Sequence, residues 1–254
     1  MVNLAAGLAE RGHPVDLVLV QAEGPFLADV PPAVRIVDLR ARRAAASIPA
    51  LVRYLRRERP RVLLSALERV NVLAIAARWL SRVPVRVIVS VHAPLTYLFE
   101  MQKTLVGRIM RSLVLLSYPK ADMVVSVSSG VQRDLLGLLR LPADRVRTIY
   151  NPIIDPSIQR LGQEDASHPW FAPGQPPVLL AVGRLSAEKD YPTLLRAFQR
   201  VRRQRPARLM ILGEGEERSA LESLVKALGL EGDVALPGFA RNPYALMRKA
   251  SCLV

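Results

Sequence analysis

Short β-branched apolar runs alternate with amphipathic helical patterns along almost all of the 254 residues. That alternation admits few architectures other than parallel sheets covered by helices on both faces. The periodicity predicts a helix over Met1–Arg11 closed by Gly12, then strands at Val15–Val20 and Val34–Leu39. A helix at Ser47–Glu58, a strand at Val62–Ser65, a helix at Val70–Leu80 and a strand at Val85–Val91 follow. Next come a helix around Met101–Ser117, a strand at Met123–Val127, a helix at Gly130–Leu139 and a strand at Val146–Tyr150.

The rhythm breaks over 153–177, where Pro156, Pro169, Pro173, Pro176 and Pro177 fall, and this stretch is expected to be a linker. A second βα series then runs through Val178–Val182, Tyr191–Arg203, Arg208–Leu212, Glu216–Leu228, Val234–Leu236 and Asn242–Ala250, ending in a strand-like Cys252-Leu253-Val254. The expected organisation is therefore a first Rossmann-like domain at 1–152, the linker, and a second domain at 178–254.

A chain of this length can bury a core without covalent help, and its single cysteine, Cys252, rules out an internal disulfide and a cysteine-based zinc cluster. Met1–Ala9 is followed at once by Glu10 and Arg11, which is not a secretory pattern. The longest uncharged stretch, Ala166–Gly183, holds four prolines and does not read as a membrane span. The formal net charge is +14, and its placement is uneven. Residues 1–152 carry 22 basic and 11 acidic side chains, a net of +11, against 14 and 11, a net of +3, over 153–254. Such a basic half could face nucleic acid, an anionic bilayer or a phosphorylated substrate. With only 5% aromatic residues and no basic–aromatic interleaving, nucleic acid is not an expected partner.

Ligands of open parallel sheets collect at the carboxyl ends of strands, and there this chain places polar residues. His92 follows the Val85–Val91 strand, Asn151 follows Val146–Tyr150, Gly183-Arg184 follows Val178–Val182, and Gly213-Glu214-Gly215 follows Arg208–Leu212. The most informative segment is Val182-Gly183-Arg184-Leu185-Ser186-Ala187-Glu188-Lys189-Asp190-Tyr191-Pro192. It brings two cations, Arg184 and Lys189, to a helix start that Asp190 is expected to cap. A helix N-terminus with two cations suits a diphosphate, although solvated surface charges would leave the same spacing. Gly213 and Gly215 would let backbone approach a ligand, or form a plain turn. No G-x-G-x-x-G or Walker loop supports a dinucleotide or nucleoside-triphosphate site.

Gly183-Arg184-Leu185-Ser186-x-Glu188-Lys189-Asp190-Tyr191, leading into Leu194-Leu195-x-Ala197-Phe198, resembles the signature of the family-4 retaining glycosyltransferases of the GT-B fold. So do Ile211-Leu212-Gly213-x-Gly215, Val234-x-Leu236-x-Gly238-Phe239, Val125-Ser126-Val127-Ser128-Ser129-Gly130-Val131, Ile149-Tyr150-Asn151-Pro152 and the opening Asn3-to-His13 helix, all in order. The resemblance implies two Rossmann-like domains facing a cleft. It also implies transfer of a hexose from a nucleotide diphosphate sugar to a polysaccharide or lipid-linked acceptor, with retention of configuration and no metal or other cofactor.

On that resemblance Gly183, Arg184 and Lys189 bind the donor diphosphate, while Gly213, Gly215, Gly238 and Phe239 lie along the nucleotide. His92 hydrogen-bonds the sugar or reacting groups, and Asn151 lies at the interdomain cleft. Of the other histidines, His13 suits a helix C-terminus and His168 falls in the linker. The alternative reading is an inactive GT-B-like module that binds a nucleotide or a partner. A Rossmann oxidoreductase is disfavoured, because no glycine fingerprint with a downstream acidic residue follows any strand.

The family's first strand and Gly-rich loop would precede Met1, and its Glu-x7-Glu motif would follow Val254. The chain is thus expected to be truncated at both ends and to have negligible transferase activity by itself. A cytoplasmic setting in cell-envelope polysaccharide or glycolipid assembly goes with the resemblance. Lys103, Arg108 and Arg111 lie among Leu105, Ile109, Leu113 and Leu116. That pattern fits either a core-facing helix with a charged outer side or one resting on an anionic inner leaflet.

Overall fold

A computed structural model describes residues 1–152, 156–165 and 168–254. It divides into two compact units, Met1–Pro152 and Ile153–Val254. Both are built from parallel strands and helices, the α/β class expected from the sequence.

The first unit opens with α1 (Val2–Glu10), β1 (Val15–Leu19) and β2 (Val34–Asp38), then α2 (Ile48–Glu58), β3 (Val62–Ala66), α3 (Glu68–Ser81) and β4 (Arg86–Val91). It continues through α4 (Leu95–Met101), α5 (Leu105–Ser117), β5 (Met123–Ser126), α6 (Ser129–Leu139) and β6 (Val146–Thr148). Its strands form a parallel sheet in the order β3-β4-β5-β6 and a separate parallel pair, β1-β2. One helical layer serves both. Leu51, Tyr54 and Leu55 of α2 and Ala77 of α3 form a buried cluster that receives Val18 from β1, Val37 from β2 and Leu63 from β3. The Tyr54 hydroxyl donates to Asp16 at 2.7 Å, and Arg35 bridges Asp16 and Glu58. Arg35 thereby holds the Asp16 carboxyl below the usual range, while burial pushes the Tyr54 phenol up.

The helix expected around Met101–Ser117 is α5, which starts at Leu105, and a separate helix not foreseen from the sequence, α4, precedes it. The chain leaves α4 at Met101 and re-enters helix at Leu105, with the Thr104 hydroxyl accepting the Gly107 N–H at 3.1 Å. A Cβ on Gly107 would lie 2.2 Å from the Gln102 carbonyl oxygen, so the tight joint needs glycine there. The last strand is also shorter than expected, ending at Thr148, with Ile149 and Tyr150 exposed beyond it.

Three helices, α2, α3 and α6, are followed by Arg59, Arg82 and Arg140 in left-handed conformation, with φ of 44°, 56° and 49°. Glycine is the usual residue there, because a side chain costs about 1–2 kcal/mol in that region. Replacing Arg140 with glycine is expected to stabilise the protein by about 0.5–1 kcal/mol after the added freedom of the unfolded chain is subtracted. In thermal denaturation this corresponds to a midpoint roughly 1–4 °C higher.

The second unit contains α7 (Pro156–Gln163), β7 (Val178–Val182), α8 (Tyr191–Gln204), β8 (Arg208–Leu212), α9 (Arg218–Ala227), β9 (Val234–Gly238), α10 (Tyr244–Lys249) and β10 (Cys252–Leu253). The parallel sheet runs β10-β7-β8-β9. Of the stretch 153–177, read as a linker from its prolines, the described residues Leu161, Glu164, Asp165, Trp170 and Phe171 make contacts within this unit. Asn242 Nδ2 donates to the Leu161 carbonyl and to Glu164, both at 2.8 Å, and Lys249 pairs with Asp165 at 3.0 Å. Trp170 and Phe171 pack on the buried Val178, Leu180, Met210 and Leu212. Of that stretch, 153–155 and 166–167 lie outside the described residues.

Candidate functional site

The carboxyl ends of β7, β8 and β9 are drawn together by main-chain hydrogen bonds that run past the strands themselves. Gly183 N–H donates to Leu212 O at 3.0 Å, Leu185 N–H to Glu214 O at 3.0 Å, and Gly213 N–H to Gly238 O at 2.8 Å. Glu217 N–H returns to Leu185 O at 3.0 Å. Apolar runs set the strand directions, and Leu185, fully buried, pins the first loop into the core beside Tyr191 and Leu195.

The glycines make this spacing possible. A Cβ on Gly213, whose φ is 149°, would fall 1.9 Å from Gly183 O, and one on Gly215 would fall 2.2 Å from Leu185 O. At both positions the space that a Cβ would take is filled by the chain's own backbone. At Gly183 a Cβ would meet the Tyr191 hydroxyl at 2.8 Å, and at Gly238 it would meet Glu214 Oε1 at 2.7 Å.

On this main-chain floor stand the charged residues. Arg184 and Lys189, five residues apart, are both exposed. The Lys189 side chain passes Gly183, its Cε 3.4 Å from where a Cβ would be. Lys189 makes no ion pair among the described residues. Arg184 donates from Nη2 to Glu216 Oε2 at 2.9 Å in a pair whose side chains are 69% and 56% exposed. Glu188 lies between the two cations in sequence. Its own backbone N–H, then the Ser186 hydroxyl, and more weakly Arg184 and Lys189, hold its carboxyl below the usual range.

Asp190 departs from expectation. It precedes α8 in left-handed conformation, φ 47°, and its side chain accepts no capping hydrogen bond. Phe239 follows Gly238 and is 55% exposed.

In the first unit, His92 follows β4 directly and is exposed, with Nε2 3.1 Å from the Ser90 hydroxyl. Under it lies a polar network that sequence reasoning missed. Asn71, fully buried on α3, donates from Nδ2 to Ser90 O at 3.0 Å and to the Tyr118 hydroxyl at 2.9 Å. Asn71 Oδ1 accepts from the Ser65 hydroxyl at 2.8 Å. The signal was available as one asparagine beside Val72, Ala74 and Ile75 on the buried face of α3. Asn151 is exposed, three residues beyond β6. His168 accepts the Trp170 N–H at 3.2 Å and so caps its own turn.

The structure thus brings Gly183, Arg184, Lys189, Gly213, Gly215, Gly238 and Phe239 to one end of the second sheet, and places His92 and Asn151 in the first unit. A surface depression of about 730 Å³ between Arg78, Trp79, Arg82, Pro84 and Arg86, at the amino end of β4, includes none of them. Among the described residues no group of three or more His, Cys, Asp or Glu side chains is placed to hold a metal ion.

Both units match models of known protein families. Residues 1–155 match the family model described as Glycosyltransferase Family 4, and residues 162–254 match that described as Glycosyl transferases group 1. The chain is 33% identical over 184 residues to the N-acetylgalactosamine-N,N'-diacetylbacillosaminyl-diphospho-undecaprenol 4-alpha-N-acetylgalactosaminyltransferase of Campylobacter jejuni. That match takes in 72% of this chain and 47% of the relative, so the chain spans about half the length of that protein.

Among solved structures, HepE of Anabaena in complex with UDP-glucose aligns with a TM-score of 0.71 at 19% identity, covering 99% of this chain and 68% of HepE. Sucrose-phosphate synthase of Thermosynechococcus elongatus aligns with a TM-score of 0.73 at 17% identity, covering 99% and 67%. These likenesses show the GT-B-like fold.

Proposed function

Because the chain belongs to Glycosyltransferase Family 4, we propose that it transfers a hexose from a nucleoside diphosphate sugar to a polysaccharide or lipid-linked acceptor with retention at the anomeric carbon. The observation that carries this reading is the pair Arg184 and Lys189, set on a glycine-built floor at the carboxyl end of β7 and ahead of α8. Two exposed cations at one strand end suit two adjacent phosphates: Arg184 can hold oxygens through its planar fork, and Lys189 adds a point charge. As the sugar–phosphate bond breaks, negative charge grows on the leaving diphosphate, and cations already in place stabilise it there.

In this reading Phe239 and Gly238 lie along the base, and His92, held by Ser90, hydrogen-bonds the sugar. UDP is the first nucleotide to test, since HepE binds UDP-glucose. The diphospho-undecaprenol in the name of the Campylobacter relative supports a lipid-linked acceptor. Such an acceptor would accord with a role in cell-envelope assembly at the inner leaflet. Titration of the protein with UDP and GDP by calorimetry tests the donor site, and release of UDP from a UDP-sugar tests turnover. Absence of binding to either nucleotide sinks the reading.

Glu216 gives a sharper test. Its carboxylate sits where a phosphate oxygen would compete for Arg184. An exposed ion pair contributes about 0.2–1 kcal/mol, so Glu216→Gln is expected to tighten UDP binding by roughly 1.4- to fivefold. Unchanged or weaker binding by this variant would mean that the pair does not compete with the nucleotide.

A further inference from the structure

The depression at the amino end of β4, where the chain leaves α3, takes no part in the function proposed above. Trp79 stands on its rim, 78% exposed, with Leu80 beside it at 43%. Pro84 and the buried Val85 line it as well. An indole left in water at the end of a helix adds little to the core, and it makes a strong anchor once a partner covers it.

The charge around this indole is one-sided. Arg78, Arg82 and Arg86 share the lining with a single carboxylate, Asp122. That carboxylate is already engaged, accepting from Arg78 Nη1 at 2.5 Å and from Val87 N–H at 2.7 Å. Arg82 and Arg86 are exposed and make no ion pair among the described residues. The main chain brings a further cation alongside: Arg86 N–H donates to Arg61 O at 3.0 Å, and Arg61 is exposed too. Glu58, at the end of α2, is held by Arg35 and Arg57. Arg82 also sits at φ 56°, where glycine is usual, so the chain keeps a cation there against the local preference.

We propose that this depression docks a partner protein through an acidic segment that carries an apolar side chain. The apolar side chain covers Trp79 and Leu80, and the carboxylates pair with Arg82, Arg86 and Arg61. Tryptophan and arginine are the residue types that most often anchor such interfaces. A second copy of the chain would set the same arginines against one another. One tryptophan offers no succession of stacking platforms to a nucleic acid strand. Small ligands are enclosed over most of their surface, which a rim as exposed as Trp79 does not provide. Among the described residues no helix is long and apolar enough to cross a membrane, and one indole with a half-exposed leucine is a small footing for a bilayer. β4 is six residues long, so the docked segment lies roughly 20 Å from His92 at the other end of the strand and leaves the carboxyl ends of the strands free. The inference does not depend on the transferase reading.

The test uses the full chain without nucleotide and a labelled peptide of four Glu-Glu-Leu repeats, with four Gln-Gln-Leu repeats as its uncharged counterpart. Fluorescence polarisation should show binding of the acidic peptide, weakened by salt, and none of the counterpart. Trp79→Ala, and separately Arg82→Glu with Arg86→Glu, should each weaken it roughly tenfold or more. Arg200→Glu with Arg203→Glu, exposed on α8, changes the net charge equally and should alter it by less than about twofold. Arg82→Gly should be at least as stable as wild type, by the argument given for Arg140, and still bind more weakly, which separates docking from folding. Trp79 is one of two tryptophans, so its emission should shift to shorter wavelength on binding, and the shift should vanish in Trp79→Ala. Absence of binding, or equal binding of the two peptides, overturns the inference. So does equal loss in the two double variants, which would mean that the peptide follows net charge alone. A Trp79 emission shift with phosphatidylglycerol vesicles but not with the peptide would assign the face to lipid and overturn it as well.

Discussion

Alanine at Gly213 is expected to disrupt the second unit rather than merely weaken a ligand site. The new Cβ would lie 1.9 Å from the Gly183 carbonyl oxygen, on a backbone with φ of 149° that side chains rarely adopt. Relief requires the β7 and β8 loops to part. Parting them breaks the hydrogen bonds from Gly183 to Leu212 and from Gly213 to Gly238. Backbone strain and lost hydrogen bonds together should cost about 4 kcal/mol or more, a large share of a typical domain's stability. Urea or thermal unfolding should show a midpoint lowered by roughly 10 °C or more, or no folded protein. Gly137→Ala is the control. It lies within α6, and a Cβ there meets nothing within 4 Å. It should be neutral or stabilising by up to about 1 kcal/mol. A folded Gly213→Ala variant with wild-type stability would show that the loops are not held as described.

Loss of the two cations is expected to have the opposite signature, intact stability and failed binding. Arg184 and Lys189 are exposed and contribute little packing, so Arg184→Ala with Lys189→Ala should leave unfolding within about 0.5 kcal/mol of wild type. Each hydrogen bond to a charged phosphate oxygen is worth about 1.5–3 kcal/mol. The double variant should therefore bind UDP on the order of 10²-fold more weakly, as read by calorimetry. Arg184→Lys should recover part of the charge but not the forked geometry. Wild-type affinity in the double variant would remove these two residues from the donor site.

Much of the architecture was legible because strand and helix periods differ and the strands are rich in Val, Leu and Ile. The errors fall where one local contact decides the outcome. The helix expected around Met101–Ser117 starts only at Leu105, where Thr104 caps it and Gly107 admits the Gln102 carbonyl, and the short α4 before it was not expected. The prolines of 153–177 suggested a linker, and no local signal announced that Leu161 would bond to Asn242 across 81 positions of sequence. At the strand ends, positions were readable and hydrogen-bond partners were not. Strand ends announced Gly183, Arg184, Gly213 and His92, whereas the partners of Arg184 and His92, Glu216 and Ser90, emerge only from tertiary geometry.

The glycine floor has a consequence for how such a site can change. Its shape is set by main-chain bonds among Gly183, Leu185, Gly213 and Gly238, none of which depends on the identity of the exposed side chains around it. Arg184, Lys189, Glu216 and Phe239 therefore project from a frame that does not move when they are exchanged. Ligand preference and scaffold integrity are then separable traits. On the proposed reading, drift or engineering can retune the first at those four positions, while Gly213 and Gly215, hard against neighbouring backbone, tolerate almost no variation.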